Sequence, residues 1–403
     1  MPLSIVHINS VYEFGSTGRI VSDIHEELLK SGYVSRVIYG RKNKSHSQNA
    51  MRFGGRLSTF WHILMTFVSD RHGFASTRAT RKMIAMLDDI RPDVVHVHNL
   101  HGYYLNYPML LKYLSESGVK VVFTMHDCWC LTGHCAYYTS VQCDRWKTSC
   151  RNCIQKRKYP ISLWADRSTL NHDTKKALFK RMPNAVITSP SEWMNRQVSE
   201  SHLQNLERAV IPNGVDVDRF CPGRSSFRER HGLENCFIIL GVASIWEKRK
   251  GLDYFQKMAE CLEPDERIVI VGSQPVFRAK RTRRDQIIYV PRTNSLEDLA
   301  DIYRAADVLF CGSIEEVLCM TNIEAQACGT PVVAFQSSGV AETVDPGNTG
   351  AVAPPGDWTE ALNQIRKIKK DGKSSYSAAC RKRAEMLYSK KIVIKRFMDL
   401  YHR

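Results

Sequence analysis

The chain has 403 residues, 43% hydrophobic and 24% charged, with 57 Lys and Arg against 41 Asp and Glu and a net charge of +16. That is enough for two or three domains with sizeable cores, and it excludes a disordered or fibrous chain. The longest apolar run, Phe60 to Val68, is interrupted by His62 and falls short of the roughly 20 residues of a bilayer span. The start, MPLSIVHINS, lacks the layout of a signal peptide, so the expectation is a soluble chain that stays in the cytoplasm.

The first elements read strand, glycine loop, helix. Leu3–Ile8 is a short apolar run, Gly15 and Gly18 lie in the following loop, and Ile20, Ile24, Leu28 and Leu29 then recur on one helical face. Gly32 stops that helix and Val34–Tyr39 is the next strand. Further strands are expected at Asp93–Val97, Val119–Thr124, Ala185–Thr188 and Ala209–Ile211. Such alternation implies a parallel sheet covered on both faces.

A Pro-, Gly- and Arg-rich break over Pro212–Arg230 precedes a second alternation. Strands are expected at Cys236–Ser244, Arg267–Val271, Ile287–Val290, Asp307–Cys311 and Pro331–Phe335, with helices at Gly251–Cys261, Leu296–Ala305 and Asn322–Ala327. The pattern predicts two Rossmann-like α/β domains facing a central cleft. Their expected bounds are 1–212, with a Cys-rich insertion at about 128–160, and 213–388. A closing apolar helix, within 389–403, is expected to pack back on the first domain.

Four stretches carry chemistry. GSTGR, Gly15–Arg19, sits between strand and helix, where glycine amides and a helix N-terminus suit an anion; it matches neither a dinucleotide fingerprint nor a P-loop. His126 ends a strong apolar strand, the usual place for substrate contact in an open α/β sheet, and His96 and His98 end another. Lys248, Arg249 and Lys250 precede a helix opening at Gly251 and read as a phosphate clamp. In SIEEVLCMTNIEAQACGTPVVAF, Glu316 sits on a loop, Thr321 or Asn322 caps the next helix, and Glu324 lies in its first turn. A carboxylate accepts hydrogen bonds from two neighbouring hydroxyls, so diols beside a phosphate spell a nucleotide sugar.

Thirteen cysteines, six of them between Cys128 and Cys153, favour thiols or a metal over disulfides in a chain without a secretory signal. Cys135, Cys143, Cys150 and Cys153 end in a CxxC pair and are compatible with a structural zinc site, with His134 as a substitute ligand. Reduced, packed thiols are the other reading.

The linker VIPNGVDVDRF, the KRKG clamp and the Glu/Glu loop ending EAQACGTPVV, preceded in order by VVHVHNLHGYYLN, TMHDCWCLTGHC and SPSEWM, resemble the retaining glycosyltransferases of family 4. The similarity is to the bacterial branch that builds capsule, exopolysaccharide and O-antigen, and it covers nearly the whole chain. It implies a GT-B fold and transfer of a hexose-type sugar from a UDP- or GDP-linked donor to a lipid-linked or growing glycan, with no metal in the chemistry. On this resemblance Glu324 holds the donor ribose, Glu316 the transferred sugar and Lys250 the diphosphate. The Gly15–Gly18 loop lies against the phosphates, and His126 faces the reacting sugar. Ser244 stands where the family often has Arg, with Arg249 as its substitute, and EVLC replaces the family's glycine-rich loop.

The charge of +16 leaves nucleic acid, an anionic membrane and phosphorylated substrates as partners. Its densest runs are Arg278, Lys280, Arg281, Arg283 and Arg284, and Arg366 through Lys373. A zinc-containing nucleic-acid binder is the rival class, but stacking aromatics are not interleaved with those runs, so no nucleic-acid partner is expected. An epimerase or phosphorylase on the same fold is the nearer rival. Peripheral attachment to the inner face of the plasma membrane is expected through LSTFWHILMTFV beside Arg52 and Arg56.

Overall fold

The computed structural model describes residues 2–41, 47–273 and 286–403. The run of Arg278, Lys280, Arg281, Arg283 and Arg284 lies outside the described residues. The chain divides into two compact units, one ending at Ile211 and taking back Ile394–Arg403, the other Pro212–Val393.

The first unit contains, in chain order, β1 (Ser4–Asn9), α1 (Gly15–Lys30), β2 (Val34–Tyr39), β3 (Ala50–Arg52), α2 (Arg56–Ser69), α3 (Thr77–Ile90) and β4 (Val94–Val97). Next come α4 (Tyr107–Glu116), β5 (Lys120–Thr124), α5 (Ser168–Phe179), β6 (Val186–Ser189), α6 (Glu192–Ser199) and β7 (Glu207–Val210). The sheet is parallel throughout, in the order β3-β2-β1-β4-β5-β6-β7. Its direction of winding reverses between β1 and β4. Ile5, Val6, Ile8, Val94, Val95 and Val97 are all buried, as expected of a strand covered on both faces.

The second unit runs α7 (Phe227–His231), β8 (Phe237–Ile245), α8 (Leu252–Ala259), β9 (Glu266–Ser273), β10 (Ile287–Val290), α9 (Leu296–Ala305) and β11 (Val308–Cys311). It continues with α10 (Met320–Ala327), β12 (Val332–Phe335), β13 (Gly350–Ala353), α11 (Trp358–Asp371) and α12 (Ser374–Arg383). Its parallel sheet has the order β10-β9-β8-β11-β12-β13, reversing between β8 and β11. Alternate residues feed two separate cores. Leu309 and Cys311 join Ile323 and Tyr303 on one face, while Val308 and Phe310 join Phe255 and Ile365 on the other.

The last helix, α13 (Lys390–His402), is the expected apolar stripe. From Ile394 onward it belongs to the first unit: the hydroxyl of Tyr401 lies 2.6 Å from His96 Nδ1, and Lys120 Nζ donates to the Leu400 carbonyl at 2.6 Å. Three local expectations are corrected. The GSTGR segment is the first turn of α1, not a loop before it; Gly15, at φ +69°, makes the turn from the extended Phe14 into the helix. Leu29 is exposed, and Val21 takes its place on the buried face. The basic run from Arg366 is largely consumed within the unit, with Lys369 Nζ 2.7 Å from Glu263, 2.8 Å from Asp265 and 3.2 Å from Glu266.

Candidate active site

In the second unit three loops leave the carboxyl ends of β8, β11 and β12, and the winding reverses between the first two, the usual ligand position in an open α/β sheet. Lys248–Lys250 form a short 3₁₀ turn, and α8 starts at Leu252, one residue after the expected Gly251. Gly251 has φ +75°, and a Cβ there would lie 2.3 Å from the Gly312 carbonyl oxygen, so only glycine lets these two loops touch. The Ile314 amide donates to the Arg249 carbonyl at 3.0 Å; the Glu316 amide donates to Ser338 Oγ at 2.9 Å. The main chain of the clamp and of the glutamate loop is therefore itself bonded in place.

Those side chains meet. Lys250 Nζ and Arg249 share Glu316 Oε1, the guanidinium at 2.9 Å, and Arg249 also reaches the Glu315 carbonyl at 3.2 Å. Burial would raise the Glu316 carboxyl, but Lys250 and then Arg249 outweigh it and hold its pKa below the ordinary value. Burial would likewise lower the Lys250 ammonium, but Glu316, aided by Cys319, leaves it raised. All three groups are charged at neutral pH.

Glu324 is the fifth residue of α10 and not in its first turn, which has no acidic side chain. It is buried, and Tyr303 donates its phenol hydrogen to Glu324 Oε2 at 2.8 Å. The expected cap is also corrected. Cys319 occupies the N-cap position and no side chain caps the helix. Thr321 lies within the first turn, its hydroxyl 3.2 Å from Cys319 Sγ. Asn322 turns inward, fully buried, and donates to Thr343 Oγ1 at 2.9 Å. The leading N–H groups of α10, which include those of Thr321 and Asn322, have no capping side chain and carry the positive end of the helix dipole.

In the first unit, α1 follows β1 with no side-chain cap and no acidic residue in its first turn, so Gly15 and Gly18 contribute to another uncapped helix start. His126 lies just beyond β5. Its Nε2 is 3.0 Å from His98 Nδ1, and His98 Nε2 is 3.3 Å from His7 Nδ1. Burial lowers the His126 pKa to about 4 and that of His7 to about 3, so both rings are neutral near pH 7. Sequence reasoning missed the neighbouring pair. Asp127 Oδ2 lies 2.6 Å from His101 Nε2 and accepts its hydrogen, leaving His101 Nδ1 to accept from the Tyr159 hydroxyl at 2.9 Å. Both residues lay in motifs already noted, one beside His126 and the other three residues after His98.

Cys135, Cys143, Cys150 and Cys153 come together around one small cavity with His134. They are not at metal-ligand spacing; among the described residues that spacing occurs for His7, His96 and His98. The ring nitrogens of His96 are already engaged by Tyr401 and Thr124, and those of His98 by His7 and His126, so this trio reads as a hydrogen-bonded core. A larger hollow of about 890 Å³, lined by Asp88, Arg91, Asp93 and Lys120, opens at the amino ends of β4 and β5. That is the edge of the first unit's sheet opposite the carboxyl ends followed by His98 and His126.

Residues 17–219 match the family described as Glycosyltransferase Family 4, and residues 224–386 match glycosyl transferases group 1. The chain is 25% identical over 229 residues to the putative colanic acid biosynthesis glycosyl transferase WcaC of Escherichia coli K12, covering 53% of this chain and 55% of that one. It thus spans about half the length of that relative. Among solved structures it resembles a sucrose-phosphate synthase from Thermosynechococcus elongatus, at TM-score 0.73 and 19% identity, covering 99% of this chain and 98% of the other. It also resembles Anabaena HepE in complex with UDP, at TM-score 0.71 and 14% identity, covering 99% of each.

Proposed function

Since the chain belongs to glycosyltransferase family 4, we propose that it is a retaining enzyme moving a hexose-type sugar from a UDP- or GDP-linked donor to a lipid-linked or growing surface glycan. The single observation that carries this reading is the grouping of Glu316, Arg249 and Lys250 beside the uncapped start of α10, with Glu324 one turn further along. Glu324, oriented by Tyr303, accepts the two ribose hydroxyls. The α10 amides and the two cations hold the diphosphate, whose charge grows as the sugar–phosphate bond breaks, and so favour the transition state over the bound donor. The donor competes with Glu316 for Arg249 and Lys250, releasing the carboxylate to accept hydroxyl hydrogens from the transferred sugar. His126, neutral, supplies a further hydrogen bond to that sugar. The fixed cations do the work a divalent ion does elsewhere, so no metal takes part in the chemistry.

The UDP in the HepE complex and the colanic acid biosynthesis in WcaC's name support a nucleotide-sugar donor and a surface-glycan product. Within the described residues no helix is long and apolar enough to cross a membrane. Attachment to an anionic inner membrane face is proposed through α2, where Leu57, Phe60, Trp61, Leu64 and Val68 form one exposed apolar face, Leu57 at 85% and Phe60 at 66% exposure. The test of this function is incubation with a panel of UDP- and GDP-sugars and a lipid-linked acceptor, with the anomeric configuration of the product read by NMR. Transfer with the donor's configuration kept supports the reading. Inversion, or donor isomerised without transfer, overturns it.

A further inference from the structure

Between β5 and α5, residues 125–167 hold no strand and no α-helix, only the 3₁₀ turns Thr139–Val141 and Arg145–Lys147. A segment this long without secondary structure is uncommon inside a compact domain, and it needs another source of order. Yet it is not a surface loop, for Trp129, Leu131, Tyr138 and Trp146 are almost wholly buried, and Trp146 stacks on Tyr138 at 4.9 Å. At its centre is a cavity of about 20 Å³ lined by Cys135, Cys143, Cys150 and Cys153, with His134 and Trp146. The geometry points to a structural zinc ion held there by the four thiolates.

Four observations converge on this assignment. The four cysteines come from three separate turns of irregular chain and line one small space, whose lining includes neither Cys128 nor Cys130 of the same segment. The approach is built in: a Cβ on Gly133 would lie 1.9 Å from the Ser168 carbonyl oxygen, and the Gly133 amide donates to Cys150 Sγ at 3.2 Å. Amide-to-sulfur bonds of this kind orient and stabilise a metal-bound thiolate. The wall is anchored from outside by Asp70, which takes His134 Nδ1 at 2.5 Å and the Arg167 amide at 2.7 Å. Finally, four thiolates around Zn²⁺ leave a net charge of −2, and Arg145 and Arg151 line the same cavity to balance it. Zinc prefers tetrahedral sulfur at about 2.3 Å, so binding draws the thiols inward and releases their protons to solvent. The ion would fix the segment that itself carries His126 and Asp127.

The experiment is metal analysis of the full chain purified without chelator. About one zinc per chain is expected, lost in Cys150→Ser/Cys153→Ser with a fall in melting temperature, and kept in Cys261→Ser, an exposed cysteine remote in sequence. Should the double variant fail to fold, the parent protein is titrated with a mercurial thiol reagent beside a chromophoric zinc chelator. One equivalent of zinc should be released as the four thiols are consumed. Zinc-free protein that takes up none in competition with the chelator overturns the proposal. So does full zinc content in the double variant, or peptide mapping that finds the four cysteines in two disulfides.

Discussion

The hydroxyl of Tyr303 on α9 donates to Glu324 Oε2 at 2.8 Å, and both residues are buried. The bond fixes one oxygen of the carboxylate before any ligand arrives, a saving in orientation that substrate binding would otherwise supply. Tyr303→Phe keeps the ring and removes only this bond. Hydrogen bonds to charged groups are worth about 1.5–3 kcal/mol, so the donor KM should rise about tenfold or more while kcat stays within about twofold. Steady-state kinetics with saturating acceptor make the check, and an unchanged KM would detach Tyr303 from ribose binding.

Lys250 and Arg249 both bind one oxygen of Glu316, so the loss of either changes what the other can do. Lys250→Ala leaves Arg249 on the carboxylate and removes the point charge meant for the departing phosphate. The expected outcome is a fall in kcat of about ten- to a hundredfold, with nucleotide affinity reduced less. Calorimetric titration with UDP and GDP alongside turnover separates the two. A loss confined to affinity would make the clamp a binding device only.

Stability should decline with acid. His7, with a pKa lowered to about 3, and His62, lowered to about 4, are buried in the neutral form, desolvation being the main cause in both. Below the unfolded value of 6.5 the unfolded chain takes up protons the folded one refuses, so stability falls as pH drops from about 6.5 toward 4. Each such group contributes about 1.4 kcal/mol per pH unit. Melting temperatures at pH 7.5, 6.5 and 5.5 should decrease in that order. Because His126 is also neutral down to about pH 4, kcat should show no histidine-like step between pH 6 and 8. A melting temperature that rises on acidification would contradict both assignments.

Membrane attachment through α2 predicts co-sedimentation with anionic vesicles that weakens in high salt. Trp61, 57% exposed on the apolar face, is the side chain to remove. Trp61→Ser should cut vesicle binding severalfold without altering the melting temperature. Equal binding of the parent to neutral and anionic vesicles would remove the electrostatic half of the idea.

The buried strands were legible because continuous apolar runs survive in a single sequence, and so were α1, α8, α9, α10 and α13 from their helical spacing, whereas the helices between the other strands were not individually placed. The short edge strands Ala50–Arg52 and Gly350–Ala353 were not, since three or four residues at a sheet edge carry no period. Of the site, Glu316, Arg249 and Lys250 were readable as chemistry at the ends of strands. Their mutual pairing was not, because it depends on loops from β8 and β11 that sequence places more than sixty residues apart. The cap of α10 was misread because Thr321 and Asn322 are good capping residues by type, while the helix already starts at Met320 with Cys319 at the N-cap position. Tyr303 left no signal, being one aromatic in the stripe of an amphipathic helix. His101 and Asp127 left one, a histidine and a carboxylate each following a strand that ends in histidine.

The central claim is that Glu324 and Glu316 hold a nucleotide sugar in two different roles, and donor turnover by the two alanine variants tests it most directly. Ribose contacts are alike in ground and transition states, so Glu324→Ala should mainly raise the donor KM. The transferred sugar gains positive character as the diphosphate leaves, so Glu316→Ala should mainly lower kcat, in each case by about ten- to a hundredfold. If both variants turn over the donor like the parent, the two glutamates merely surround an ordinary helix start and the account is contradicted.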